Sequence, residues 1–357
     1  MTMPKKKIIP VFVPQGGCEN HCVFCNQRGI TGVEEIPGDK DLDALMPPGG
    51  SDYELAFYGG TFTALPQAVM ISYLEFAEKM YKAGRIGSLR ISTHPKALDE
   101  EMMPLLKHYG VTTIELGIQS MDDEVLAEAG RGHTAEDNRY AMFLVKNNGF
   151  SLGVQLMTGL PFDTSLKVFK GLYELLPYSP SMVRIYPLLV LQDTPLAISY
   201  QKGEYLPMSL EEAVALVTDM YAFFRYYRIP VIRMGLQPTE ELNCGTGLLL
   251  AGPFHPAFGH LVKSLLKRKQ VEPMLKAVTG DVTVMCHEKD LPLLYGEHRE
   301  HFIALNQQRR LRISGTLKDR DVLALAPYEQ ERQGEILSVL TEQEFLTHYL
   351  SERVECI

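Results

Sequence analysis

From Ile8 to Met234 this chain alternates short, β-rich apolar runs with amphipathic stretches, and that alternation restricts the folds open to it. The strand candidates are Ile8–Val13, Glu54–Tyr58, Leu89–Ser92, Thr113–Ile118, Leu152–Met157 and Val183–Leu188. Gln67–Lys82, Thr134–Asn147, Leu166–Leu176 and Leu210–Tyr226 carry apolar residues at helical spacing. Strands that alternate with helices predict a parallel sheet with crossover helices. Six such units predict an α/β fold, a partial parallel (β/α)6 TIM-like barrel rather than a closed eight-stranded one. Chemistry in parallel barrels gathers at the C-terminal ends of the strands. Cys18, Gly59, Gly60, Gln119 and Gly159 all fall just after strand candidates.

Residues 234–256 break the pattern into a stretch rich in Gly and Pro, which marks a boundary. The expected organisation is a core over residues 1–234 and an extension over 235–357. The extension reads as a small mixed α+β domain and a candidate substrate-binding domain. In it Pro256–Lys269 and Glu342–Arg353 look helical, and Thr283–Cys286 and Leu311–Ser314 look like strands. The segment holding His255 and His260 reads as a helix entry through Pro256. A length of 357 residues suits one domain of roughly 200–250 residues plus such an extension.

The composition, 45% hydrophobic and 22% charged, is that of a soluble globular protein, and no apolar run reaches the roughly 18 residues of a membrane span. The start, MTMPKKKIIPVFVP, reads as a first strand rather than a leader. A net charge of -9 argues against a nucleic-acid partner unless a local basic face exists. Two runs could form one: Lys263, Lys267, Arg268 and Lys269, and Arg309, Arg310 and Arg312. A solvated helix or loop face is the plainer reading of each.

Three of the six cysteines, Cys18, Cys22 and Cys25, stand at C-x3-C-x2-C spacing in GGCENHCVFCNQ. Such clustering fits a reducing, cytoplasmic setting better than a disulfide framework. Three thiolates can hold three corners of a four-iron, four-sulfur cube and leave the fourth iron open to a small molecule. The same cysteines could hold zinc with His21 or a distant ligand. A zinc ribbon would need a second C-x2-C pair, whereas Cys244, Cys286 and Cys356 are isolated. Buried, inert thiols are the third reading. On the next strand candidate, FYGGTFTAL puts Gly59, Gly60 and Thr61 at a strand end, where glycines let a ligand approach the backbone.

The triad resembles the signature of the radical SAM enzymes, and Phe24 also fits their pattern. IELGIQSMDDEVLAEAGRGHTAEDN (114–138), LGVQLMTGLPFDT (152–164) and RIYPLLVLQDTPLAISYQKGEY, from Arg184, resemble the radical SAM core of the Elongator catalytic subunit. They are more distantly similar to the oxygen-independent coproporphyrinogen oxidases. The resemblance covers residues 8–234. It implies a 4Fe-4S cluster on Cys18, Cys22 and Cys25, bound S-adenosylmethionine and an external one-electron donor of flavodoxin or ferredoxin type. It also implies reductive cleavage of S-adenosylmethionine to a 5′-deoxyadenosyl radical that takes hydrogen from the substrate. The substrate implied is tRNA, at a uridine; a small molecule such as a tetrapyrrole is the alternative. An iron–sulfur or zinc module without turnover is the third reading.

By the same resemblance Gly59, Gly60 and Thr61 bind the methionine part of the cofactor. Gln119 contacts its ribose, Arg131 its carboxylate, and Met157 to Pro161, with Gly159, pack near the adenine. Gln155 and Ser92 stand where the porphyrin enzymes carry acids, and Glu115 lies in the same segments. The resemblance has departures. The Elongator subunit has wider cysteine spacing, and no glycine-rich acetyl-CoA loop is recognisable after Met234 here, so acetyl transfer is not implied.

Overall fold

Six strands pair in chain order, each parallel to the one before: β1 (Lys7–Phe12), β2 (Tyr53–Tyr58), β3 (Ser88–Thr93), β4 (Val111–Gln119), β5 (Ser151–Thr158) and β6 (Met182–Pro187). The structure is a computed structural model and describes residues 6–13, 16–18, 22–32, 37–46, 50, 52–238, 242, 247–307, 309–328 and 336–354. Crossovers run through α1 (Gln67–Lys82), α2 (Met102–His108), α3 (Ala135–Asn147) and α4 (Ser165–Leu175). This is the partial (β/α)6 barrel that the alternation predicts. Its element ends fall within two residues of the expected ones.

The strands alternate in a way that positions the site. Leu55, Phe57, Leu89, Ile91, Ile114, Leu116, Leu152, Val154, Val183 and Ile185 share one parity and are all buried. The other parity carries Glu54, Tyr58, Ser88, Arg90, Ser92, Glu115, Gln155, Arg184 and Tyr186. Successive strand residues point to opposite faces, so the sheet has one apolar and one polar face. The helix ends are fixed locally. Thr134 caps α3 by accepting from the Asp137 N–H, and the Asp137 carboxylate returns to the Thr134 N–H. Thr164 caps α4 in the same manner through Lys167 N–H.

The chain divides into two compact units: residues 1–209 with 236–254, and residues 210–235 with 255–357. It therefore crosses between units three times, one of them just after Met234. The reason lies in α5 (Leu210–Tyr226), which packs through Ala222 onto α6 (Phe258–Lys276) at Leu266 and onto α7 (Glu342–Val354) at Phe345 and Leu346. Arg225 of α5 also pairs with Glu342 and, at 3.2 Å, with Asp321. The second unit has a mixed sheet. β7 (Val282–His287) lies between β8 (Leu311–Leu317), parallel to it, and β9 (Val322–Pro327), antiparallel, and β10 (Ser338–Thr341) pairs antiparallel with β9. Among the described residues no helix is long and apolar enough to cross a membrane.

The two basic runs are largely neutralised within this unit. Lys267 is only 8% exposed, lies 3.5 Å from Asp290 and donates to the Arg320 carbonyl. Lys269 pairs with Asp219 at 3.1 Å and Arg268 with Glu272 at 2.7 Å. Arg310 pairs with Asp281 at 2.7 Å, and Arg309 donates to the Val278 carbonyl. Charges tied up in this way leave little of a basic face for a phosphate backbone.

Candidate active site

A cavity of about 460 Å³ opens at the C-terminal ends of β2, β3, β4 and β5, with the cysteine loop forming part of its wall. Cys18, Cys22, Phe24 and Cys25 line it, as do Gly59, Gly60, Thr61, Ser92, Gln119, Arg131 and Gln155. The loop is held by its backbone. The Cys25 N–H donates to the Cys22 carbonyl, the Val23 N–H to Ala129 O at 3.1 Å, and the Leu196 N–H to Val23 O at 2.8 Å. Cys18 Sγ is 3.4 Å from Thr61 Oγ1. Burial, with Cys22 and Cys18 beside it, pushes the Cys25 thiol up to about 12. A Cys25 thiol so placed resists becoming a thiolate on its own and needs a cationic group beside it to do so. His21, Cys244 and Cys356 lie outside the described residues. Cys286 is buried in the second unit's apolar core.

The glycines explain how two loops meet. Thr61 N–H donates to Gly16 O at 2.8 Å. A Cβ on Gly60 would lie 2.4 Å from Gly16 O and 2.6 Å from Val13 O. A Cβ on Gly17 would lie 2.3 Å from Thr61 O, and Gly17 takes φ +70°. The cysteine loop thus packs backbone to backbone against the turn after β2, so part of what these glycines do is structural. Gly60→Ala is expected to push this turn away from Cys18, costing about 1–3 kcal/mol as overpacking does. A chemical-denaturation midpoint matching wild type would show that the turn accommodates the methyl group.

The strand ends and the loop at Arg131 supply polar atoms with no partner among the described residues. Ser92 Oγ, Gln119 Oε1 and Arg131 Nε are buried and unsatisfied. Gln119 also takes φ +65°, a left-handed conformation that costs a non-glycine residue energy and gathers at functional sites. Gly117 leaves room for this: a Cβ there would meet Gln119 Nε2 at 3.1 Å and Arg131 Nη2 at 3.4 Å. The amide of Gln155 donates to Glu115 Oε1 at 2.8 Å, which leaves its carbonyl oxygen free to accept. Three cysteines on one cavity wall, beside a glycine turn and orphaned polar atoms, fit an iron–sulfur cluster with a polar, partly anionic organic ligand.

Beneath this wall the polar face of the sheet forms a buried ion network. Arg90 pairs with Glu54 and, at 3.2 Å, with Glu115; Arg184 lies 2.6 Å from Glu115 and donates to Tyr58 OH at 2.8 Å. Glu115 is fully buried in this network and is not part of the cavity wall. Met157 and Gly159 do not line the cavity either. Met157 and Phe24 both pack against the buried cluster that includes Leu160, and Gly159 O accepts from Tyr205 OH.

His94 and Lys96 also line the cavity, and no motif singles them out. The signal that could have found them is position, since both follow β3 directly. The Lys96 N–H donates to His94 Nδ1 at 3.2 Å, so neutral His94 carries its proton on Nε2. That atom lies 2.9 Å from both the Arg131 carbonyl and His133 Nδ1. His133 therefore faces its partner ring. Burial, then the Arg131 charge, lowers His94 to about 4 and His133 to about 3. Both imidazoles are neutral when folded, and the unfolded chain binds protons more readily below the ordinary histidine value. Stability should consequently fall as pH drops from about 6.5 towards about 4. Thermal unfolding between pH 7 and pH 4.5 checks this, and a His94→Gln, His133→Gln variant should show a flatter slope.

Residues 12–168 match the Radical SAM superfamily, and residues 180–268 match the Radical_SAM C-terminal domain. The chain is 34% identical over 185 residues to a tRNA uridine(34) acetyltransferase of Methanocaldococcus jannaschii, covering 46% of this chain and 34% of that relative. It is 25% identical over 214 residues to Elongator complex protein 3 of Homo sapiens, covering 52% of this chain and 39% of the relative. It thus spans well under half the length of either. Among solved structures the archaeal Methanocaldococcus infernus Elp3 with an N-terminal deletion shares the fold. Its TM-score is 0.56 at 23% identity, over 75% of this chain and 64% of that one.

Proposed function

This chain belongs to the radical SAM superfamily, and on that premise we propose that it modifies a tRNA uridine with a 4Fe-4S cluster and S-adenosylmethionine. The observation that carries the reading is the convergence of Cys18, Cys22 and Cys25 with four strand ends on one cavity. When bound, these groups supply one-electron cleavage of S-adenosylmethionine and hydrogen-atom abstraction from the substrate. The chain's part is to bind, orient and shield. Cys18, Cys22 and Cys25 would hold three irons. The backbone at Gly59, Gly60 and Thr61 takes the amino-acid head. Ser92, Gln119 and Gln155 would offer oxygens to the hydroxyl donors of that ligand, and Arg131 Nε would be available to its carboxylate. Phe24 adds an apolar contact at the cysteine loop. Met157 and Gly159 support the wall from behind, and Glu115 fixes the Gln155 amide.

The uridine substrate is supported by the similarity to the archaeal tRNA uridine(34) acetyltransferase. An external flavodoxin- or ferredoxin-type donor would supply the electron. Anaerobic protein reconstituted with iron and sulfide, then given S-adenosylmethionine and dithionite, should release methionine and 5′-deoxyadenosine. Mass spectrometry of tRNA nucleosides from a deletion strain should show a lost or altered uridine. No cleavage in a fully loaded protein would overturn the chemistry. Cleavage with an unchanged nucleoside profile would move the substrate to a small molecule such as a tetrapyrrole.

A further inference from the structure

We infer that Arg131 tunes the proposed cluster: its guanidinium donates a charged hydrogen bond to the Cys22 sulfur and favours the reduced state. The inference rests on the cluster reading above. Arg131 Nη1 lies 3.1 Å from Cys22 Sγ, and Nη2 donates to Gly117 O at 2.6 Å. The fork therefore spans from the cysteine loop to β4. The main chain is pinned as well. Arg131 N–H donates to Leu126 O at 3.0 Å, and its carbonyl accepts from His94 Nε2. Gly130 and Gly132 flank it at φ +65° and +68°, conformations that set the direction in which the side chain leaves.

Charge makes this arrangement informative. Arg131 is only 7% exposed, and among the described residues it forms no ion pair with a carboxylate. A buried guanidinium without a counter-charge is costly. Three thiolates on a 4Fe-4S core give a net charge of about −1, and about −2 after one electron is added. Before S-adenosylmethionine brings its carboxylate, the cluster would thus supply the counter-charge, and more of it when reduced. Hydrogen bonds to the sulfurs and local charge are the terms that set the potential of such a cluster. A fixed cation at Cys22 stabilises the reduced state and makes the electron easier to accept. Nothing is consumed in this step; one electron arrives from the external donor and the N–H···S bond strengthens.

The test is a redox titration of anaerobically reconstituted protein, followed by electron paramagnetic resonance without S-adenosylmethionine. Wild type, Arg131→Met and Arg131→Lys should each bind about four irons. The Arg131→Met midpoint should be more negative by at least tenfold in the reduction equilibrium, about 59 mV for one electron. Arg131→Lys, which keeps the charge but not the fork, should fall between. In wild type labelled with nitrogen-15 arginine, the reduced cluster should show a nitrogen coupling, which needs no variant. A fully loaded Arg131→Met with the wild-type midpoint would overturn the inference, and so would a labelled wild type without coupling. A wild type that binds no iron would overturn the cluster reading instead, and this inference with it.

Discussion

Replacing Cys18, Cys22 and Cys25 together with alanine is expected to abolish iron binding, while wild type reconstituted without oxygen binds about four irons per chain. The effect should be nearly all-or-none, because the three thiols share one rim of the cavity and supply the charge that holds the metal. Cys286, buried in the second unit's apolar core, offers no substitute. Loss should be local, since the barrel is held by the β1–β6 ladder and the apolar face of its strands. Iron and sulfide analysis with far-ultraviolet circular dichroism checks both points. A wild-type protein that takes up one zinc tightly and no iron would defeat the expectation.

Glu115→Ala is expected to destabilise the first unit by about 3–5 kcal/mol, the usual cost of removing one partner from a buried ion network. Glu115 faces Arg90 at 3.2 Å, Arg184 at 2.6 Å and the Gln155 amide at 2.8 Å. Its loss leaves Arg90 with Glu54 alone and takes the paired carboxylate from buried Arg184, and it frees Gln155 to turn over. Glu115→Gln keeps the volume and one acceptor, so it should cost less. Replacing Glu115 and Arg184 together with leucine should recover part of the loss, because it removes charge from both sides. Urea unfolding of the set measures this. Equal midpoints for wild type and Glu115→Ala would show that the network adds nothing to stability.

The buried network also explains why one site candidate lies elsewhere. Glu115 sits in the same sequence segment as Gln119, and its side chain shares a parity with the polar face. The strand rises along the barrel, so Glu115 belongs to the floor and Gln119 to the rim. Depth along a strand is not written in a motif. The same holds for Met157 and Gly159, which lie near the rim yet behind the wall. The pairing of Lys267 with Asp290 and of Lys269 with Asp219 was equally invisible, since each joins residues distant in the chain.

What the sequence determined by itself was local: the period-two strands alternating with capped helices, and three cysteines close enough along the chain to serve one cluster. Both signals arise from interactions between near neighbours in the chain, so spacing alone carries them. Only the tertiary structure decided which polar side chains reach the cavity and which neutralise each other beneath it. It alone brought Arg131 to Cys22, 109 residues away, and His94 to His133. Such contacts depend on strand register and on the depth of each side chain in the barrel, and both are fixed only when the whole sheet pairs.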